Sequence, residues 1–276
     1  RVRALVRTPR PGLLPVGVEQ VAGNLGDPVA VGRALADATG AFYVSPHEPD
    51  EERLAAIFVH ACEAARTRLV FAGVHADGRT RVSRAIRRGM LALLFARAYA
   101  PKFRLAERIR RARTEAIVLM PTNFFQNDEL FRDELLAGEY VQTLRSVNRV
   151  DVRDVGDAAA RALLDRDIAP GAYPLVGPVS MSSAEAAATW STALGRPVRA
   201  CDFDRFAAAV ARNIPGKKQT DFLASFRALA RLAVPTDPRP VAATTELLGR
   251  PPRSYDAYVR DRVAAWTARE EPRDVG

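Results

Sequence analysis

Residues Val18 to Ser45 read VEQVAGNLGDPVAVGRALADATGAFYVS, and the changes of pattern along this stretch decide the fold. Val18 to Ala22 is a short apolar run of strand length. Gly23-Asn24-Leu25-Gly26 follows as turn chemistry, after which Asp27 is placed to cap a helix with Pro28 at its first position. That helix is expected to run to about Asp37. Ala41 to Ser45 is then a second apolar strand, stopped by Pro46. The segment is one strand–helix–strand unit.

The same alternation extends in both directions. Upstream, Val2 to Val6 reads as a strand ended by Thr8-Pro9 and Pro11-Gly12. Downstream come an amphipathic helix over Asp50 to Arg66, a strand over Arg68 to Gly73, and a strand over Glu115 to Met120. Pro121 is expected to break that strand into a loop reaching Asn127. A helix over Asp154 to Leu164 and a strand over Gly171 to Val176 follow. Ser182 and Glu185 form a capping box for a helix to Ala193, closed by Gly195. Near-continuous apolar strands alternating with helices predict an α/β fold with a doubly wound, Rossmann-like parallel sheet. Residues 204–267 read as helical, interrupted by prolines at Pro235 to Pro240 and at Pro251-Pro252. The expected division is a Rossmann-like domain over 1–180 and a smaller, mainly helical, substrate-facing lobe over 181–276.

Composition bounds the function. The 276 residues are 48% hydrophobic and 26% charged, ordinary soluble globular values with enough chain for a sizeable core. No run approaches the roughly 20 apolar residues of a membrane span, and no signal-peptide pattern opens the sequence. Cys62 and Cys201 lie too far apart in sequence for a CxxC pair, so a reducing cytoplasm is expected. The formal charge is +9, and 38 of the 41 basic residues are arginine. Residues 79–113 hold twelve of the 41 against the single acid Glu107. Such a field attracts phosphate, an acidic protein, an anionic lipid surface or nucleic acid, unless it is simply a solvated arginine face. The absence of a helix-turn-helix or zinc-finger pattern argues against specific nucleic-acid recognition. Arg84, Arg87 and Arg88 are expected to mark a docking face for an acidic partner.

Six stretches, taken in order, resemble one family. They are Val2 to Pro9, Val18 to Pro28, Pro121 to Asn127, Asp151 to Asp157, Leu175-Val176-Gly177-Pro178 and Gly249-Arg250-Pro251-Pro252-Arg253. Together they resemble the NmrA-like family of atypical short-chain dehydrogenases and reductases, which bind NAD(P)(H) on a Rossmann sheet. The resemblance implies NADP(H) as cofactor, with Arg7 meeting the 2′-phosphate and Arg10 assisting, a role that suits a guanidinium because it forks onto phosphate. It implies Asn24 and Leu25 beside the adenine, Asn24 standing where the family usually has Asp. Ser45, Pro46 and His47 would end the strand facing the nicotinamide, with Pro121, Asn123 and Phe124 nearby.

The departures are as informative. The family opens with a strand and a Gly-rich turn that cradles the pyrophosphate, and neither precedes Val2 in this sequence, which starts at Arg1. About 20 to 30 further residues upstream, or another segment, are expected to supply them. Without that strand, Val2 to Val6 and Val18 to Ala22 would be separated from the rest of the sheet. For proton transfer, Tyr99 and Lys102 are three apart with Pro101 between them, whereas the short-chain dehydrogenase pair stands four apart. Where the family often has Ser or Thr, this chain has Ala72-Gly73-Val74-His75, making His75 a further acid–base candidate unless it is an exposed loop histidine. Lys102, His47 and Tyr99 are thus the catalytic candidates. The acids Asp50, Glu51 and Glu52 read as the first turn of a helix rather than as metal ligands. The expected function is an NADP(H)-dependent oxidoreductase of a small carbonyl or quinone-like molecule; the alternative is a non-catalytic NAD(P)-sensing regulatory protein.

Overall fold

The computed structural model describes residues 1–45, 50–75, 100–216, 218–231, 233 and 236–270. They form two compact units drawn from interleaved stretches of chain. The first comprises Arg1–Val74, 100–120 and Ala158–Tyr173; the second comprises His75, Pro121–Asp157 and 174–270.

In the first unit, β1 (Val2–Val6), β2 (Val18–Ala22), α1 (Pro28–Leu35), β3 (Gly40–Val44), α2 (Glu51–Ala65), β4 (Arg68–Ala72), α3 (Ala100–Arg110) and β5 (Ala116–Pro121) follow in order. β1 and β2 pair in parallel, Val2 opposite Val18 and Val6 opposite Ala22. A four-stranded sheet has the order β3-β4-β5-β9, where β9 is Gly171–Leu175, with β3, β4 and β5 parallel. The expected α/β fold with parallel strands and intervening helices is thus present. Among the described residues, β1 pairs only with β2 and β3 only with β4.

The core of this unit explains the strand patterns. β4 lies between two strands, and Leu69, Val70 and Phe71 are wholly buried, hence its unbroken apolar run. α2 lays Ala55, Phe58, Val59 and Cys62 on the sheet, Phe58 stacking on Tyr43 at 4.6 Å. Leu105 and Ile109 of α3 complete the layer.

The second unit contains β6 (Asn123–Phe124), a 3₁₀ segment (Phe125–Phe131), α4 (Arg132–Leu136), β7 (Glu139–Tyr140) and β8 (Val147–Val150). α5 (Val152–Leu164) begins in this unit and ends in the first. Beyond β9 come β10 (Ser180–Met181), α6 (Ser183–Leu194), β11 (Arg199–Ala200) and α7–α10, which are Phe203–Asn213, Lys218–Leu229, Pro238–Leu248 and Tyr255–Glu270. The capping box is formed, with Ser182 accepting from the Glu185 amide and Glu185 accepting from the Ser182 amide. Gly195 closes α6 in the left-handed region, at φ 65°.

Two local expectations are corrected. α1 ends at Leu35 rather than near Asp37, because Asp37 itself turns into the left-handed region at φ 58°. Pro121 is the last residue of β5, a position that tolerates a missing N–H, and 122–127 is not an open loop but leads into β6 and the 3₁₀ segment. The two-residue strands were not foreseen, being too short to show a period. Among the described residues no helix is long and apolar enough to cross a membrane.

Candidate nucleotide site

A groove of about 620 Å³ opens at the carboxyl ends of β1 and β2 in the first unit, the end at which open α/β sheets bind ligands. Arg7 leaves β1 into it. The loop that follows is fixed by Gln20 of β2, whose side chain accepts from the Arg10 amide at 3.0 Å and donates to the Arg10 carbonyl at 2.9 Å. The guanidinium groups of Arg7 and Arg10 are exposed and have no ion-pair partner among the described residues.

The opposite wall is the turn from β2 into α1. Gly23 donates to the Val6 carbonyl at 2.9 Å, and a Cβ there would lie 2.4 Å from that of Ala30, so only glycine lets the helix pack this close. Asn24 Oδ1 accepts from the Gly26 amide at 2.9 Å, and Asp27 caps α1 by accepting from the Val29 amide at 2.9 Å. Arg3 secures the whole unit, pairing with Glu19 at 2.9 Å and donating to the carbonyls of Ala34 and Ala36 at 3.1 and 2.7 Å. The first turn of α2 closes the groove through Leu54 and through Arg53, which is held by Asp50 at 2.8 Å.

The same turn of α2 carries a second cluster. Asp50, Glu51 and Glu52 do form the start of α2, and within it Glu51 is buried. Its Oε2 accepts from the Ser45 hydroxyl at 2.9 Å and from Lys102 Nζ at 3.0 Å. Lys102 also donates to the Ser45 carbonyl at 3.3 Å and is only 14% exposed. Beneath them, burial pushes the Tyr43 hydroxyl up to about 12, with the charges of Glu51 and Asp50 adding to the shift.

The structure therefore gathers Arg7, Asn24 and Leu25 in one groove and Ser45 and Lys102 in an adjoining cluster of the same unit. Pro46, His47 and Tyr99 lie outside the described residues, as do Arg79, Arg81, Arg84, Arg87, Arg88 and Arg97 of the basic segment. The described part of that segment is partly neutralised: Arg104 pairs with Glu52, and Arg110 and Arg111 pair with Glu107. His75 is half-buried rather than exposed, its amide donating to the Pro121 carbonyl at 2.9 Å.

Asn123 and Phe124 belong to the second unit, where their backbone is held by a buried charge pair. Arg149, wholly inaccessible, meets Asp128 at 2.7 Å and donates to the carbonyls of Phe124 and Phe125 at 2.8 and 3.0 Å. Asp128 also accepts from Tyr140 at 3.2 Å, from Gln142, from Trp190 at 3.2 Å and from Tyr255. Burial alone would lower the Arg149 pKa, but the charge of Asp128 raises it well above its ordinary value, so the guanidinium stays ionised. Two of the quoted stretches also meet: Arg250 and Arg253 both pair with the buried Asp154 and with Asp157. Asp128 and Arg149 were not singled out from sequence, since they meet from different elements, and nor were Arg53 and the burial of Glu51 on Lys102.

No family model matches the chain. It is 26% identical over 261 residues to an NAD(P)H azoreductase from Xenophilus azovorans, spanning 91% of this chain and 85% of that protein. It is 28% identical over 277 residues to a (4-alkanoyl-5-oxo-2,5-dihydrofuran-3-yl)methyl phosphate reductase from Streptomyces griseus, spanning 96% and 90%. Among solved structures it resembles an NADPH-dependent quinone oxidoreductase from Escherichia coli complexed with NADPH. The TM-score is 0.69 at 16% identity, covering 91% of this chain and 84% of that one. The fold is the Rossmann-like fold of NAD(P)-binding reductases.

Proposed function

We propose that this protein is an NADP(H)-dependent oxidoreductase acting on a small carbonyl or quinone-like molecule. The observation that carries the reading is the groove at the ends of β1 and β2, which combines the guanidinium of Arg7, without an ion-pair partner among the described residues, with the apolar side chains of Leu5, Leu25 and Leu54. These residues fit the adenosine end of a dinucleotide: the cation meets a phosphate and the apolar walls meet a base. When bound, the cofactor supplies the hydride. Arg7 and Arg10 hold the 2′-phosphate. Glu51 fixes Lys102 Nζ and the Ser45 hydroxyl at the end of β3, and Lys102 has three N–H donors of which two are used. The third serves as a donor to a developing oxyanion. The two curated relatives are reductases by name, which supports the same reading.

The test is NADPH consumption against a panel of quinones, aldehydes and azo dyes, compared with Arg7→Glu. Turnover that falls in the variant supports the proposal. Tight NADPH binding with no turnover of any member would instead favour a dinucleotide-sensing protein, a reading helped by the ion pair that neutralises Lys102.

A further inference from the structure

We infer that the groove between α2 and α3 is a second ligand site, one that takes a small amphipathic organic anion such as a medium-chain carboxylate. The groove has a volume of about 610 Å³, within the range of small-molecule sites, and shares no lining residue with the groove at the ends of β1 and β2. It stands whether or not that other groove holds a dinucleotide. The α2 wall is a single helical face, with Ala56, Val59, His60 and Glu63 at i, i+3, i+4 and i+7. The two helices run in the same direction. Glu51–Lys102 and Glu52–Arg104 tie their amino-terminal ends, and Glu63, accepting from the Arg113 amide at 2.8 Å, ties their carboxyl-terminal ends.

The two ends of the groove differ. Toward the amino termini, Arg104 is neutralised by Glu52, and the walls are the apolar side chains of Ala56, Val59 and Phe103. Toward the carboxyl termini, Arg108 is exposed and has no ion-pair partner among the described residues. Arg110 and Arg111 share the single carboxylate of Glu107, at 3.2 and 3.0 Å. Three guanidinium groups, Arg108, Arg110 and Arg111, thus stand against two carboxylates, Glu63 and Glu107. The exposed imidazole of His60 adds an N–H donor on the facing wall. Apolar walls at one end and an excess of positive charge at the other match an apolar tail and an anionic head. A neutral head gains less from Arg108, and a cationic head is repelled by it.

The experiment is calorimetric titration of octanoate, with octanol and octylammonium as neutral and cationic controls, into the wild-type chain and three variants. From Arg104 to Arg111 the α3 wall spans about 10 Å at 1.5 Å per residue, the length of a chain of about eight carbons. Octanoate is expected to bind the wild-type chain one to one and about tenfold more tightly than either control. Arg108→Glu, at an exposed position, is expected to weaken octanoate about tenfold or more by removing a charge-assisted bond. Ala56→Phe, which fills the apolar end, should also weaken it, whereas Arg7→Glu, in the other groove, should leave it unchanged. That pattern supports the inference. No octanoate binding, equal binding of octylammonium, or binding lost in Arg7→Glu but kept in Arg108→Glu overturns it and leaves the proposed function standing.

Discussion

Arg7 is one residue past the end of β1, and its value to a ligand comes from what it lacks: no carboxylate among the described residues neutralises it. A charge-assisted bond to phosphate contributes about 1.5–3 kcal/mol, so Arg7→Ala is expected to weaken NADPH binding about 10- to 100-fold. NADH, without the 2′-phosphate, should bind the variant and the wild-type chain alike; an equal loss for both dinucleotides would refute the assignment. The cysteines allow a second test at this scale. Burial pushes the Cys62 thiol up to about 12, with Glu63 adding to it, whereas Cys201 is only half-buried and its thiol is raised chiefly by partial desolvation. Iodoacetamide at neutral pH should therefore label Cys201 alone in the native protein and reach Cys62 only after unfolding, which mass spectrometry of the adducts checks. The cysteine count was legible in the sequence, but the burial of Cys62 follows from its place on the sheet-facing side of α2.

The first turn of α2 serves two sites at once, Arg53 and Leu54 toward the groove and Glu51 toward Lys102 and Ser45. The sequence foretold the helix, because its apolar spacing and flanking acids are local features. It did not foretell that Glu51 is buried, because its partner lies 51 positions away. Removing one member of a buried ion pair leaves the other charge uncompensated. Lys102→Met is accordingly expected to lower stability by about 3 kcal/mol in urea unfolding, with the double variant Lys102→Met, Glu51→Leu recovering much of it. Equal losses in the single and double variants would show that the pair contributes only as packing. The helix cap is a milder case: Ser182→Ala should cost about 1 kcal/mol, since it removes the acceptor for the Glu185 amide.

At the scale of the whole molecule, several carboxylates are held below their ordinary range. Burial would raise Asp151, but hydrogen bonds from the Arg153 side chain and amide and from Gln126 outweigh it. Arg253 and Arg250 lower Asp157, and Arg205 lowers Glu139. Because the folded values lie below the unfolded ones, the unfolded chain takes up protons first as the pH falls. The stabilisation is complete above about pH 5 and is lost as the pH drops through the folded values. The urea midpoint should thus decline steeply below about pH 4, and Asp151→Asn should be less stable at neutral pH with a shallower acid limb. A parallel decline in both chains would mean that Asp151 does not contribute. What the sequence determined by itself was the succession of strands and helices, the Asp27 and Ser182 caps and the place of Arg7 and Asn24 at strand ends. Each of these depends on a few neighbouring residues and their backbone preferences. Only the tertiary structure decided that Arg149 is buried on Asp128 and that Asp154 meets Arg250 from 96 positions away. Burial and partnership at such separations depend on how distant segments pack, and no local pattern encodes that.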